Sequence, residues 1–126
     1  MKRVIIALSM LIFAAASAFI FTMLLSRNIT AISADVSRLG AVSQTATHDT
    51  IVNETDIIIT KWNKTQKFLK VFTVHESLNE INRNILLLGE ISADGNRERL
   101  YEKCREICIM LSVFQDDEKA SAENIF

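Results

Sequence analysis

Residues 4–25 read VIIALSMLIFAAASAFIFTMLL, and this stretch decides how the rest of the chain is organised. It holds no charged residue, and its only polar side chains are Ser9, Ser17 and Thr22. A helix of this length spans about 33 Å, against about 30 Å for the hydrocarbon core of a bilayer. Twelve of its residues are Leu, Ile, Phe or Val, and each favours insertion near the bilayer centre by about 0.3–0.6 kcal/mol. The stretch predicts a single membrane anchor over residues 1–25.

A cleaved signal peptide is the alternative interpretation of the same residues. Lys2 and Arg3 precede the apolar segment, and Ala16-Ser17-Ala18 has the small residues of a cleavage site. Cleavage after Ala18 would leave the apolar residues 19–25 at the start of the mature chain, which favours a retained anchor. Two basic residues, Lys2 and Arg3, precede the span, whereas only Arg27 closely follows it. This excess of positive charge before the span predicts a cytoplasmic N-terminus and an extracytoplasmic domain.

The composition of the chain after the anchor favours helices. The whole sequence contains no proline and only three glycines, whereas sheet proteins depend on turns rich in both residues. Residues 26–126 carry 12 basic and 15 acidic side chains, a net charge of −3, which argues against a nucleic-acid partner. The fold class is therefore predicted as all-α: one N-terminal transmembrane helix that continues into a small antiparallel helical bundle over residues 26–126.

Apolar residues recur at three- and four-residue spacing, and this period sets the helix boundaries. Helix 1 should continue out of the membrane to about Leu39, with Gly40 as its C-terminal cap. A capping box at Thr73-Val74-His75-Glu76 should open helix 3. The remaining predicted segments are a loop at 43–50, helix 2 at 51–72, helix 3 ending near 91, a turn at 92–96, helix 4 at 97–119 and a polar tail at 120–126.

Helix 2 carries the only tryptophan, Trp62, on the same stripe as Ile58 and Leu69. Because the stripe continues on both sides of Trp62, we expect its indole to be buried against helices 3 and 4. An exposed Trp62 would instead be a binding anchor together with Phe68 and Phe72.

Four lysines, at 61, 64, 67 and 70, surround Trp62 and Phe68. Steps of three residues rotate by about 60° around a helix, so these lysines spiral and do not form one stripe. Lipid headgroups or another polyanion would suit such a cluster. A solvated face is the simpler interpretation, and its lysines would pair with the carboxylates of Glu76, Glu80 or Glu102.

No residue pattern predicts catalysis, a cofactor or a metal site. His48 and His75 lack a second ligand at helical spacing, so His75 is interpreted as a first-turn residue that is partly packed. Cys104 and Cys108 lie four residues apart with no second pair, and the simpler interpretation makes them small core hydrophobes. We expect no enzyme activity and no small-molecule substrate.

The ordered pattern of anchor, Lys61-Trp62, residues 74–81 (VHESLNEI) and the ending Glu123-Asn124-Ile125-Phe126 resembles domain-of-unknown-function family 4363, a group of small membrane-anchored bacterial proteins. The resemblance covers most of the chain after the anchor. It implies a Gram-positive cell envelope as the location and supplies no catalytic residue. It draws attention to Trp62, His75 and the apolar residues Ile125 and Phe126, which either fold back on the bundle or dock on a partner or the bilayer.

These observations predict a membrane-tethered helical module that contacts another protein in the cell envelope. Its possible interaction residues are Trp62, Phe68, Phe72, His75, Ile125 and Phe126. Two further hypotheses are a small sensor or solute-binding bundle with a pocket lined by Trp62 and His75, and an anchored coiled coil of the cell-division type.

Overall fold

The computed structural model describes the backbone of residues 1–72 and 76–125, and the side chains of residues 1–70, 76–117 and 120. Four helices make up the fold: α1 (Lys2–Val42), α2 (His48–Phe72), α3 (Glu76–Asp94) and α4 (Arg97–Ile125). Helix α1 packs against α2 and α4, and α3 packs against the same two helices. Short connections make successive helices antiparallel. The described ranges contain no strand, and the prediction of an all-α antiparallel bundle is confirmed.

Helix α1 is a single element of 41 residues that belongs to two environments. Its first part is exposed and is long and apolar enough to cross a membrane; none of its most apolar 18-residue window is buried in the protein. From Leu25 onward one residue in every three or four faces the bundle, through Ile29 and Ile32 to Leu39. The predicted continuation of the apolar N-terminal helix into the bundle is confirmed.

The bundle core is formed by the inward stripes of all four helices. In α2 the stripe that predicted a helix is buried, including Ile58 within the β-branched run Ile57-Ile58-Ile59-Thr60. The tertiary contacts therefore overrule the strand propensity of that run. The buried apolar residues are Leu25, Ile29, Ile32, Val36, Leu39, Ile51, Ile58, Trp62, Leu69, Leu78, Ile81, Ile85, Leu88, Ile91, Leu100, Cys104, Ile107, Leu111 and Phe114.

Gly40 does not cap α1, and that prediction is wrong. The helix continues to Val42, and within the described residues only Gly95 has a positive φ. Gly40 is buried against α4, where a Cβ atom added to it would lie 3.2 Å from the Cβ of Cys104. The glycine is therefore used for close packing of two helices rather than for ending one.

Two helix boundaries, the start of α2 and the end of α3, differ from the prediction because local residues determine them. Helix α2 begins at His48 instead of Ile51, and the Thr50 N–H donates to Thr47 Oγ1 at 3.3 Å just before it. The predicted loop 43–50 is thereby shortened to residues 43–47. Helix α3 continues to Asp94, and Gly95 with φ 77° ends it.

Helix α4 begins at Arg97, as predicted, because the Arg99 N–H donates to Asn96 Oδ1 at 3.1 Å in an N-cap. It continues to Ile125 and not only to Lys119, so most of the predicted tail has a helical backbone. The predicted capping box lies outside the described residues except for Glu76.

Candidate functional site

Trp62 belongs to the core. Its side chain is 0% exposed, and its indole N–H donates to Oδ1 of Asn82 on α3 at 2.9 Å. The burial predicted from the stripe is confirmed. Because its one polar atom is satisfied inside the bundle, Trp62 lines no open pocket and presents no surface to a partner.

Phe68 lies at the surface between α2 and α1, and 37% of it is exposed. Its ring packs on the ring of Phe21, with 5.6 Å between the centroids and 35° between the planes. Phe21 belongs to the apolar run that predicted the membrane anchor. The bundle therefore begins inside that run, four residues before Leu25, which is the first fully buried residue of α1.

The outer side of α1 at this level is apolar and exposed. Four residues share it, and we call them the collar: Phe19, Ile20, Met23 and Leu24. Phe19 and Met23 also line a cleft of about 470 Å³ whose opposite wall includes Gln115 and Asp116 of α4. A carboxylate of α4 thus stands beside the last turns of the apolar run.

The four lysines of α2 are all exposed, and one is paired. Lys61 Nζ lies 2.7 Å from Asp35 Oδ2 on α1, rather than near Glu76, Glu80 or Glu102 as predicted. Within the part of the chain that the structure describes, the other three lysines make no ion pair. Lys64 lines a cleft of about 370 Å³ between α1 and α2, with Asn28 on one wall and Phe68 on the other.

A polar contact between α1 and α4 was not foreseen. The Gln115 side-chain amide donates to Ser26 Oγ at 2.8 Å and to Thr30 Oγ1 at 3.2 Å. Ser26 and Thr30 lie four residues apart, which places them on one helix face, but nothing in the sequence identifies Gln115 as their partner. This contact fixes the register of α4 against the first turns of α1 beyond the apolar run.

Ile109 and Val113 form an exposed apolar pair on the outer side of α4, with exposures of 60% and 54%. They flank a shallow cleft between α3 and α4 that also includes Glu80 and Asp117. Sequence reasoning concentrated on the inward stripe of helix 4 and passed over this pair. Their four-residue spacing away from that stripe is the signal that could have identified them.

The two cysteines are free thiols at the α1–α4 contact. Burial, reinforced by the neighbouring Cys108, raises the pKa of Cys104 from 9.0 to about 12. Burial also raises the pKa of Cys108, whose Sγ donates to the Ser33 carbonyl at 3.6 Å. Both groups are neutral thiols at physiological pH, and the prediction that Cys104 is a small core residue is confirmed.

The remaining predicted residues are placed as follows. His48 is exposed at the start of α2, close to Gly95. His75, Phe126 and the side chains of Phe72 and Ile125 lie outside the described residues. Among the side chains that are described, no three of the His, Cys, Asp or Glu type cluster so as to hold a metal ion.

The chain matches no protein-family model, and no curated protein or solved structure matches it either.

Proposed function

We propose that this protein is a membrane-tethered helical interaction module that faces outward in a bacterial cell envelope and contacts another protein there. One observation carries the proposal: α1 is a single helix that is exposed and apolar in its first part and forms the bundle core from Leu25 onward. A rigid connection of this kind holds the bundle at a fixed distance from the bilayer. The proposal includes no catalytic residue, cofactor, metal or small-molecule substrate.

The collar supports an anchor that is retained rather than cleaved after Ala18. In a secreted chain that began at Phe19, the four collar residues would face water at the start of the mature protein. Contiguous exposed apolar surface is uncommon on soluble monomers and is typical of membrane or protein contacts. Lipid around α1 accounts for this exposure.

The orientation follows from charge flanking the span. Lys2 and Arg3 precede it and Arg27 follows it, which supports a cytoplasmic N-terminus. We also infer a Gram-positive host from the resemblance to domain-of-unknown-function family 4363. That resemblance contributes a location to the proposal and no mechanism.

The contact surface that we assign to the protein partner is the outer side of α4 around Ile109 and Val113. Two neighbouring aliphatic side chains, flanked by Glu80 and Asp117, have the apolar centre and polar rim typical of a small interface. Trp62, by contrast, is fully buried, so it stabilises the packing of α2 against α3 and cannot contact a partner directly. Because it is buried, it also cannot line the pocket that the sensor hypothesis requires.

The test is site-specific photo-crosslinking in living cells that express the full chain. A photoreactive amino acid at Val113 should give one discrete heavier product in the membrane fraction. The matched control carries the same amino acid at Glu98, which is exposed on the same helix near its beginning. Equal crosslinking from both positions, or none from Val113, would contradict the assigned surface.

The same cells test orientation. Ala93 is exposed at the end of the bundle far from the anchor, and a cysteine there should react with a membrane-impermeant maleimide in intact cells. A Cys108→Ala background removes the half-buried native thiol. Labelling of Ala93→Cys only after lysis would place the domain in the cytoplasm.

A further inference from the structure

The part of α1 that is free of the bundle is shorter than the apolar run. Phe21 packs on Phe68, and the cleft lined by Phe19 and Met23 is also lined by Asp116 of α4. A carboxylate in the hydrocarbon core is costly, so the bilayer core ends near Ala18 on this side of the membrane. The segment from Val4 to Ala18 spans about 22 Å as a helix, against about 30 Å of hydrocarbon.

A span that is too short is accommodated by local thinning of the bilayer and by drawing its flanking residues into the headgroup region. The flanking residues here are the collar, which is exposed, apolar and continuous with the span along the same helix. The part of the bundle beside the collar therefore reaches the membrane surface. We call this part the base, and it consists of residues 19–28 of α1, 64–70 of α2 and 115–117 of α4.

Charge on the base differs between α2 and α4. The rings of Phe21 and Phe68 are in contact, and Lys67 and Lys70 lie within two residues of Phe68, so both lysines are level with the collar. Lys64 is one helical turn further from the membrane, in the cleft beside Asn28. Among the described side chains, the exposed charges at this level of α4 are Asp116 and Asp117, and Asp116 lines the same cleft as Phe19 and Met23. The α2 part of the base is therefore basic, and the α4 part is acidic.

We propose that the α1 and α2 parts of the base form a docking surface for anionic phospholipid in the outer leaflet of the membrane that the anchor spans. The collar enters the headgroup boundary, and Lys64, Lys67 and Lys70 bind the lipid phosphates. Two observations carry the proposal: the collar continues the span along α1, and the three lysines of α2 in the base are exposed and make no ion pair among the described residues. Lysines near an anionic surface attract it strongly.

This inference rests on the proposed membrane tether and adds a lipid preference to it. The test uses the full chain in nanodiscs of mixed phosphatidylcholine and phosphatidylglycerol, with spin-labelled lipid of either type. The fraction of immobilised label reports which lipid associates with the protein. We expect phosphatidylglycerol to be favoured by about fivefold at low salt, and the preference to fall toward one at about 0.5 M salt as surface charges are screened.

Substitutions show which residues cause the preference for phosphatidylglycerol. The variant K64Q/K67Q/K70Q should lose most of it, and the matched control R83Q/R99Q/R105Q removes three exposed positive charges away from the base and should keep it. Equal association of the two lipids with the wild type, or the same loss in both variants, would overturn the proposal. A fluorophore on Met23→Cys should also be quenched by brominated lipid, whereas one on Ala93→Cys should not.

Absence of the membrane tether would give a different experimental result. If the mature chain lacks residues 1–18, it will not be retained in nanodiscs after washing at high salt, whatever its lipid preference. If the chain is retained and shows no preference, the tether stands and the docking surface is refuted.

Discussion

The side chain of Trp62 stabilises the bundle in two ways. The ring fills the space between α2 and α3, and the indole N–H is satisfied by Asn82. Removal of the ring would leave a cavity and also an unpaired amide oxygen on α3. Because a small domain has a free energy of unfolding of only about 5–15 kcal/mol, one such residue decides much of its stability.

Trp62→Ala should lower the free energy of unfolding by about 3–5 kcal/mol, since cavity formation and lost apolar contact both contribute. Thermal unfolding of the full chain in detergent, followed by circular dichroism, measures the effect. Asn82→Ala removes only the hydrogen bond and should cost about 1 kcal/mol. Wild-type tryptophan emission should be blue-shifted; a water-like maximum together with an unchanged melting temperature for Trp62→Ala would refute the core position.

At the scale of the elements, α1 and α4 pack closely at a small residue near one end, and hydrogen bonds join them along the rest of their interface. Gly40 lets the helices approach closely at Cys104, while Gln115 reaches Ser26 and Thr30 nearer the anchor. At the far end the Arg97 guanidinium donates to the Ser43 carbonyl at 3.1 Å. Helix α4 is therefore fixed to α1 over almost the whole height of the bundle.

Alanine substitutions at Gly40 and Gly89 should have opposite effects, although both sites are inside helices. Alanine in place of glycine favours a helix by about 1 kcal/mol at either site. At Gly89 the new Cβ would meet only Cδ1 of Ile59, at 3.1 Å, and that flexible end can move. At Gly40 it would lie 3.2 Å from the Cβ of Cys104, which moves only if the two helices separate.

We therefore expect Gly89→Ala to melt at or above the wild-type temperature and Gly40→Ala to melt below it. Thermal unfolding of the two variants side by side measures the difference. Overpacking typically costs about 1–3 kcal/mol, enough to cancel the gain in helix propensity. A Gly40→Ala variant that is more stable than Gly89→Ala would show that the α1–α4 contact has room to adjust.

These elements also show what the sequence could and could not predict. The inward stripes were predicted correctly, because a 3.6-residue period leaves a regular pattern of apolar residues from Ile29 to Phe114. The missed helix ends depended on local residues such as Thr47 and Gly95, whose role no periodic pattern of apolar residues reveals. Gly40 was assigned to a helix end, because a sequence does not show which helix passes close to a glycine.

The candidate site was predictable only in part for a related reason. The four lysines were interpreted as a solvated face, and Phe68 was named as a possible interaction residue. The collar was assigned entirely to the bilayer, since the register between α4 and the apolar run depends on long-range contacts such as Gln115 with Ser26. Ile109 and Val113 could have been identified from spacing alone.

At the scale of the whole molecule, α1 connects the membrane to the bundle. Retention or cleavage of the chain after Ala18 determines whether the protein is anchored in the membrane or secreted. The bundle begins at the Phe21–Phe68 contact, so a chain cleaved after Ala18 would keep every buried residue of the core. The segment before Phe19 therefore contributes no buried residue to the core. The argument for retention is instead the collar, which is exposed on the outer side of α1 and has no apolar cover among the described residues.

We expect the mature protein in the membrane fraction to keep the residues before Phe19, and intact mass spectrometry of protein purified from native membranes tests this. Ala18→Leu is the matched variant: it removes the small residue that a signal peptidase requires and leaves the apolar run intact. If the anchor is retained, the variant differs from the wild type only by the mass of the substitution and has the same location. A wild-type chain that begins at Phe19, together with accumulation of full-length Ala18→Leu, would instead show a signal peptide. The collar would then face water unless it docks on the membrane from outside. The same measurement therefore determines whether the collar is the end of a membrane span or the apolar face of a peripheral protein. Its four residues are Phe19, Ile20, Met23 and Leu24.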